Sequence, residues 1–456
     1  MFKGLMTSVS GVRGVVGVGM TPEVALLWSG GFGSWVKGEK VIVGRDSRPT
    51  GRMLNYAVKA GLAAAGCDVE DVGVVPTPTV ALAVKRRGAA GGIIITASHN
   101  SQEWNALKFV NSSGRMLSMP EFLQLEEIVQ EGPLRSVGWN NIGTMRKWDS
   151  AGIMHIAAIT GIGLLDLRKL HGKKMRVALD CVNSAGSQVY PDLLEALGCE
   201  VVGINVDGSG LFPHPPEPLP ENLKQLGETV VKEKCVVGFA VDPDGDRLAI
   251  VDEKGNPIGE ELTLALAVKM VVANNSGSVV VNSLTSQVID DIAGEANCEV
   301  HRTRVGEANV CSRMNEIGAV IGGEGSGGVI FPEVHLVRDA GVGMALVLNL
   351  LASRKKKVSE VVRDLPAYKI LKTSVPVGSE DPKELVDRIT RLYPHDQISK
   401  IDGLKVVYDD GWVQVRPSNT EPILRVFSES HNEKRAQDLI NEMLNRITEA
   451  SVSEEC

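Results

Sequence analysis

Ser98 stands in Thr96-Ala97-Ser98-His99-Asn100, directly behind the apolar run Gly92-Ile93-Ile94-Ile95. A short β-branched run ending in small polar residues predicts a buried strand that delivers a loop to one edge of a sheet. Loops of this kind carry the chemistry of open α/β sheets. With His99 beside it and Lys108 ten residues on, Ser98 is a candidate covalent nucleophile. Three later motifs say what it attacks.

The first is Asp242-Pro243-Asp244-Gly245-Asp246-Arg247, after the strand-like Val236–Val241. Carboxylates at i, i+2 and i+4 in a Pro/Gly-bent loop converge on one hard cation, and without a cation their mutual repulsion is costly. An EF-hand loop would also put a glutamate where Glu253 falls, but Arg247 takes the place of its obligatory glycine. Three carboxylates without a full cage leave a coordination position open for a phosphoryl oxygen. The second motif is Gly322-Gly323-Glu324-Gly325-Ser326-Gly327-Gly328, where backbone approaches a ligand closely and Glu324 and Ser326 suit sugar hydroxyls. The third is Arg416-Pro417-Ser418-Asn419-Thr420-Glu421-Pro422 with Arg425 beyond it, an anion-binding nest reinforced by two arginines. Arg13, in Ser10-Gly11-Val12-Arg13-Gly14, adds a cation in a glycine-flanked turn. Nucleophile, metal site, sugar loop and phosphate nest together describe phosphoryl transfer to and from a phosphorylated polyol, with a base that takes the hydroxyl proton in one half-reaction and returns it in the other.

The elements that position these residues alternate strand and helix. Val41-Ile42-Val43 precedes the polar loop Gly44-Arg45-Asp46-Ser47-Arg48 and a helical pattern from about Met53 to Ala65. Arg176–Leu179 precedes Asp180-Cys181-Val182-Asn183-Ser184 and a helical pattern from about Gly186 to Leu197. Val279-Val280-Val281 precedes Asn282-Ser283-Leu284-Thr285-Ser286 and another helical stretch. The pattern therefore reads as α/β, suggesting three related α/β domains followed by a C-terminal α+β domain. Composition shifts place the domains at 1–150, 151–254, 255–367 and 368–456. In the last, short strands near Val406–Tyr408, Trp412–Val415 and Ile423–Phe427 lead to a helix over Glu433 to Thr448.

A chain of 456 residues is too long for one core. Its net charge of −8 makes nucleic acid an unfavourable partner, so an anionic ligand needs a local basic pocket. The seven scattered cysteines form no C-x-x-C pair, which points to a reducing compartment. No leader pattern opens the sequence, and apolar stretches such as Ala340–Leu348 fall short of the ~18 residues of a membrane span. A cytoplasmic monomer or homodimer acting on small-molecule sugar phosphates, with no membrane partner, is the expectation.

The motifs from Ser10 to Arg425 resemble, in order, those of the α-D-phosphohexomutase family, which interconverts 1-phospho- and 6-phospho-hexoses through a bound 1,6-bisphosphate. The resemblance implies an α/β fold of three related α/β/α domains plus a smaller C-terminal α+β domain around a central active-site cleft. It implies that Ser98 is the phosphoserine and that Asp242, Asp244 and Asp246 hold Mg²⁺ together with the Ser98 phosphate. It implies Lys108 as general acid/base, Arg13 and His99 orienting the transferring phosphate, and Arg247 beside the metal site. Glu324 and Ser326 would contact sugar hydroxyls, with Arg304 in a further sugar-contacting loop. Arg416, Ser418, Asn419, Thr420 and Arg425 would grip the non-transferring phosphate. Three positions depart from the family pattern: Ser101 and Ala106 replace a common proline and glycine, and Gly328 stands where a histidine is usual. His335 is a candidate to replace that histidine.

Mannose and glucose phosphates are the leading substrates in this reading, because nothing in the sequence marks a purely amino-sugar pocket. Glucosamine phosphate is the runner-up. Two other classes stay open at this stage: a haloacid-dehalogenase-like phosphatase with Asp242 as nucleophile, and a non-catalytic sugar-phosphate sensor.

Overall fold

The computed structural model describes residues 3–378, 380–394, 397–418 and 423–452. Four sheets follow one another along the chain. The first has seven strands: β1 (Met6–Ser8), β2 (Gly11–Val15), β3 (Val41–Arg45), β4 (Val69–Val74), β5 (Gly91–Ile95), β6 (Trp104–Asn111) and β7 (Met145–Lys147), ordered β1-β2-β6-β5-β3-β4-β7. The second contains β8 (Arg176–Asp180), β9 (Glu200–Ile204), β10 (Val237–Val241) and β11 (Leu248–Val251), ordered β11-β10-β8-β9. The third contains β12 (Val279–Asn282), β13 (Val300–Thr303), β14 (Ile321–Glu324) and β15 (Gly328–Ile330), ordered β13-β12-β14-β15.

These three sheets share one plan. A strand, a helix, a second parallel strand on its outer side, another helix and a third parallel strand on its inner side are followed by a hairpin to an antiparallel fourth. The strands β3, β5, β8, β10 and β12 are runs of Val, Ile, Leu and Ala because each sheet is covered on both faces. The repeat suggested by three strand–loop–helix units is therefore a topological one. It places three motifs on the same turn: Ser98 lies between β5 and β6, Asp242–Arg247 between β10 and β11, and Glu324–Gly328 at the turn from β14 to β15.

The second and third sheets share a continuous apolar core, to which the helix Ala340–Arg354 is central. The apolar run Ala340–Leu348 is thus a buried core helix, and no described helix is long and apolar enough to cross a membrane. Asp339 caps this helix, its carboxylate accepting from the backbone of Gly341 and Val342. The pattern read as one helix from Gly186 to Leu197 divides into a 3₁₀ turn (Ala185–Gln188) and a helix (Tyr190–Ala196). Pro191 lacks the N–H an unbroken helix needs there and sits instead in a first turn. The fourth sheet is antiparallel, with β16 (Lys369–Pro376), β17 (Ile398–Ser399), β18 (Leu404–Tyr408), β19 (Gly411–Pro417) and β20 (Ile423–Ser430) ordered β16-β20-β19-β18-β17. The helices Pro382–Thr390 and Glu433–Val452 pack against it, which makes it α+β. The six described cysteines are free and buried.

Candidate active site

The hairpin after β5 places Ser98 against the metal loop of the second domain. Its Oγ donates to Asp242 Oδ2 at 2.8 Å and lies 3.3 Å from His99 Nδ1. Ser98 has φ of +49°, in the left-handed region. A side chain held there costs about 1–3 kcal/mol and persists only because its surroundings over-determine it.

Asp242, Asp244 and Asp246 are all buried, and one ligand oxygen from each lies within 4.8 Å of the others. Asp242 Oδ1 accepts from the backbone N–H of Asp246 and Arg247. Lys108, on β6, reaches Asp244 Oδ2 at 2.6 Å and Asp246 Oδ2 at 3.8 Å, and Thr77 donates to Asp244 at 2.6 Å. Asp244 Oδ1 and Asp246 Oδ1 are buried with no hydrogen-bond partner. Burial, and then the charges of Asp246 and Asp244, push the Asp242 carboxyl well above the usual carboxylate range. Burial would raise Asp244 too, but the Lys108 ammonium together with hydrogen bonds from Asp242, Lys108 and Thr77 outweighs it and holds Asp244 down. Crowded buried carboxylates with orphaned oxygens, all hard oxygen donors, fit a Mg²⁺ ion.

Around this centre, Arg13 on β2 donates to Asn100 Oδ1 in the Ser98 loop at 3.3 Å. His99 is pushed down to about 3, first by burial and then by the neighbouring Arg247 charge. It is therefore a neutral imidazole that can donate to a phosphoryl oxygen without adding charge. Arg247 pairs with Glu217 at 2.9 Å, which brings the Pro-rich stretch 213–218 up to the aspartate loop.

Glu324 is fixed before any sugar arrives. Its Oε1 accepts from Asn282 Nδ2 and from the Gly306 backbone, both at 3.0 Å, and its Oε2 accepts from Arg338 at 2.8 Å. Arg338 also donates to Asp246 Oδ2 at 2.6 Å and lies 3.4 Å from Glu307, so one guanidinium ties the sugar loop to the metal loop. It also accounts for Gly328: a Cβ there would lie 2.2 Å from Arg338 Cδ, so a histidine at 328 and Arg338 in this place exclude each other. We expect Gly328→His to lower kcat at least about tenfold by displacing Arg338, checked by steady-state assay.

His335 does not replace the missing histidine. It is buried with Nε2 2.9 Å from Asp339 Oδ2, the same oxygen that receives His155 Nε2 at 2.7 Å, while His155 Nδ1 meets Thr79. That cluster joins the first three domains and is structural.

Arg247, Glu324, Ser326 and Arg338 line a cavity of about 230 Å³ that Lys372 and Phe427 of the fourth domain close. Arg304 is exposed and turned away from it, its Nε donating to Ile401 O at 3.0 Å; its neighbour Val305 lines the cavity instead. Arg416 and Arg425 stand directly opposite each other on β19 and β20. Like charges in that register are destabilising, and an anion between them relieves the repulsion. Arg416 also pairs with Asp402. Ser418 donates its N–H to Ile423 O, while Asn419 and Thr420 lie outside the described residues. Arg425 is two residues from Phe427 on the same face of its strand, which places Arg425 close to the cavity. The residues that sequence reasoning passed over are Arg338, Thr77 and Glu217, together with Glu260 and Glu261 in the cavity wall. Arg338 lay next to His335 in a segment already of interest.

Comparison with known proteins gives a consistent picture. The phosphoglucomutase/phosphomannomutase alpha/beta/alpha domains I, II and III match residues 5–135, 154–255 and 259–368, and the C-terminal domain matches 348–446. A probable phosphoglucosamine mutase of Methanopyrus kandleri is 38% identical over 446 residues, covering 96% of each chain. A phosphoglucomutase/phosphomannomutase of Thermococcus kodakarensis is 38% identical over 456 residues, covering 98% of this chain and 99% of its own. Among solved structures, a phosphoglucomutase/phosphomannomutase family protein of Burkholderia thailandensis superposes with a TM-score of 0.86 at 28% identity, covering 98% of each chain.

Proposed function

The chain belongs to the phosphoglucomutase/phosphomannomutase family of α-D-phosphohexomutases, and from that premise we propose that it interconverts hexose 1-phosphate and hexose 6-phosphate through a phosphorylated Ser98 and a hexose 1,6-bisphosphate. The observation that carries this reading is the Ser98 hydroxyl 2.8 Å from Asp242, beside two buried aspartate oxygens that have no partner. In the first half-reaction the phosphorus–Oγ bond of Ser98 breaks as a bond forms to the free hydroxyl of the sugar monophosphate. The sugar hydroxyl gives up one proton and the departing Ser98 Oγ takes up one, so no net proton is released and Ser98 ends as a neutral hydroxyl. In the second, the other phosphate of the bisphosphate passes to Ser98 and the proton flow reverses.

Lys108 is the group placed to carry that proton. Burial would lower it, but Asp244 and Asp246 outweigh burial and favour its ammonium form. A Mg²⁺ ion held by Asp242, Asp244, Asp246 and the Ser98 phosphate would supply charge neutralisation at the transferring group. With their charge engaged there, Asp244 and Asp246 would favour the ammonium less and Lys108 would give and take a proton more readily. Arg13 and neutral His99 orient the phosphoryl oxygens, and Glu324 with Ser326 holds the sugar hydroxyls. Arg416, Ser418, Asn419, Thr420 and Arg425 grip the phosphate that is not transferring. The bisphosphate turns end over end between half-reactions, so this pocket serves either end of the sugar.

Mannose and glucose phosphates fit the hydroxyl-binding residues. One feature of the cavity favours glucosamine phosphate. Glu260 and Glu261 line the same wall as Glu324 and Ser326. Burial pushes Glu261 up to about 7, with Glu429 and Glu260 raising it and Lys372 opposing them. Gly325 leaves the room Glu261 needs, because a Cβ there would lie 2.0 Å and 2.2 Å from its carboxylate oxygens. An ammonium on the sugar would stabilise the ionised form of Glu261. The test is a bisphosphate-activated mutase assay on mannose, glucose and glucosamine 1-phosphates, with intact-mass measurement of Ser98 phosphate. Because Glu261 ionises near pH 7 and an amine of this kind loses its proton at about 8, the kcat/KM ratio for glucosamine over glucose phosphate should rise between pH 6 and 7.5. Glu261→Gln should flatten that rise and lower the ratio about tenfold. A ratio that is independent of pH and of Glu261 favours the neutral hexose phosphates.

A further inference from the structure

The segment that ends β3 and follows it, Gly44-Arg45-Asp46-Ser47-Arg48, has no part in the chemistry described so far, yet its last residue organises the loop that carries Ser98. Arg48 is completely buried. Its Nη2 donates to the carbonyl oxygens of Ser98 (2.7 Å) and Asn100 (2.6 Å), and its Nη1 to those of Ser101 (2.6 Å) and Trp104 (3.1 Å). Nε donates to Asp46 Oδ2 at 3.0 Å. An arginine has five donor hydrogens, and all five are used. Asp46 is anchored in turn by Thr96 Oγ1 at 2.7 Å, at the root of the same loop. From the second domain, the Phe212 ring covers the guanidinium at 4.8 Å. Gln102 in the Ser98 loop accepts from the Phe212 backbone and donates to the Gly210 carbonyl.

Four carbonyl dipoles turned onto one point repel each other unless a cation sits there. Turning them inward is also what leaves the Ser98 side chain facing the metal loop, with its backbone at φ +49°. We propose that Arg48 is the positioning residue of the phosphoryl-carrying serine. It holds Ser98 in the left-handed conformation that aims Oγ at Asp242, and the segment from Gly210 to Phe212 seals it in place. This inference rests on the reading of Ser98 as the phosphoryl carrier. Arg48 touches neither the sugar cavity nor Ser98 Oγ, so its loss should slow phosphoryl transfer without weakening sugar-phosphate binding. A lysine cannot replace it, because three hydrogens on one nitrogen cannot serve five acceptors spread about a plane.

The experiment compares full-length wild type, Arg48→Lys and Phe212→Ala. Glucose 1,6-bisphosphate is mixed with dephosphorylated protein, Ser98 phosphate is followed by quenched-flow mass spectrometry, and the KM for hexose 1-phosphate is measured alongside. Displacing a nucleophile by about an ångström costs on the order of a hundredfold. Arg48→Lys should therefore phosphorylate about a hundredfold more slowly with KM within threefold of wild type. Phe212→Ala, at a half-exposed position, should fold normally and slow the same step about fivefold with KM unchanged. Phosphorylation of Arg48→Lys within threefold of the wild-type rate overturns the proposal. So does a KM that rises as far as the rate falls. If Arg48→Lys does not fold, an unchanged rate in Phe212→Ala overturns it by itself. Wild type that takes up no phosphate on Ser98 removes the reading beneath the proposal, and the proposal with it. Wild type that is phosphorylated while both variants match it overturns the role of Arg48 alone.

Discussion

Ser98→Ala should lower mutase turnover at least about a thousandfold, since a covalent carrier has no substitute when its oxygen is removed. The measurement is steady-state interconversion of hexose 1- and 6-phosphates with bisphosphate present, paired with intact mass. Wild type should gain one phosphate and the variant none. The result separates the mutase from a phosphatase that uses Asp242. In that case Ser98→Ala would keep hydrolysis, and phosphate would appear on Asp242. The geometry favours the serine. Both oxygens of Asp242 are already engaged, Oδ1 by the backbone of Asp246 and Arg247 and Oδ2 by Ser98 itself. A carboxylate held this way is placed to bind a cation and accept hydrogen bonds, not to attack phosphorus. The same variant addresses the sensor reading, because a protein that only binds sugar phosphates has no turnover to lose.

What could be read from the sequence divides along the range of the interactions. β5 was legible because Gly91–Ile95 is buried on both faces, so an apolar run bounded by polar residues has one plain interpretation. The aspartate loop was legible because its three carboxylates lie within five residues and their repulsion needs a cation wherever they fold. The fourth domain showed its short strands because its apolar core residues alternate with other residues along them, as Leu404 and Val406, Val413 and Val415, and Leu424 and Val426 do. By contrast, the shared strand order of the first three domains depends on which strand lies between which, and no local pattern encodes that. Arg48 and Arg338 were missed for a related reason. The partners of Arg48 lie 50 to 56 residues away, and Arg338 meets Asp246 across 92 residues. A buried arginine looks like a surface arginine until its acceptors are known. The expectation for His335 failed in the same way: its chain neighbourhood suggested the sugar site, but Asp339 and His155 take it into the core.

Arg338 should be the most damaging surround residue to lose. Burial would lower it, but Asp246, Glu307 and Glu324 outweigh that and keep the guanidinium charged. Arg338→Met fills similar volume, removes the guanidinium from Glu307 and Glu324, and leaves Asp246 with Lys108 alone. Breaking a buried ion pair from one side costs about 3–5 kcal/mol, so the variant should melt several degrees lower. Its catalytic loss should be larger than stability alone explains. Glu324 would lose the donor that fixes its Oε2, and Asp246 would lose its shortest charged contact and keep only the more distant Lys108. We expect kcat/KM to fall at least about a hundredfold, the scale of removing one charged donor from a closed site. The concentration of Mg²⁺ needed for half-maximal activity should move downward, because an Asp246 without the guanidinium binds a cation more tightly than one shared with it. That direction makes the test discriminating. Loss of activity from a loosened fold would raise the Mg²⁺ requirement or leave it unchanged. A lower requirement together with lower turnover is the signature of one guanidinium that balances the metal loop and positions the sugar loop at once.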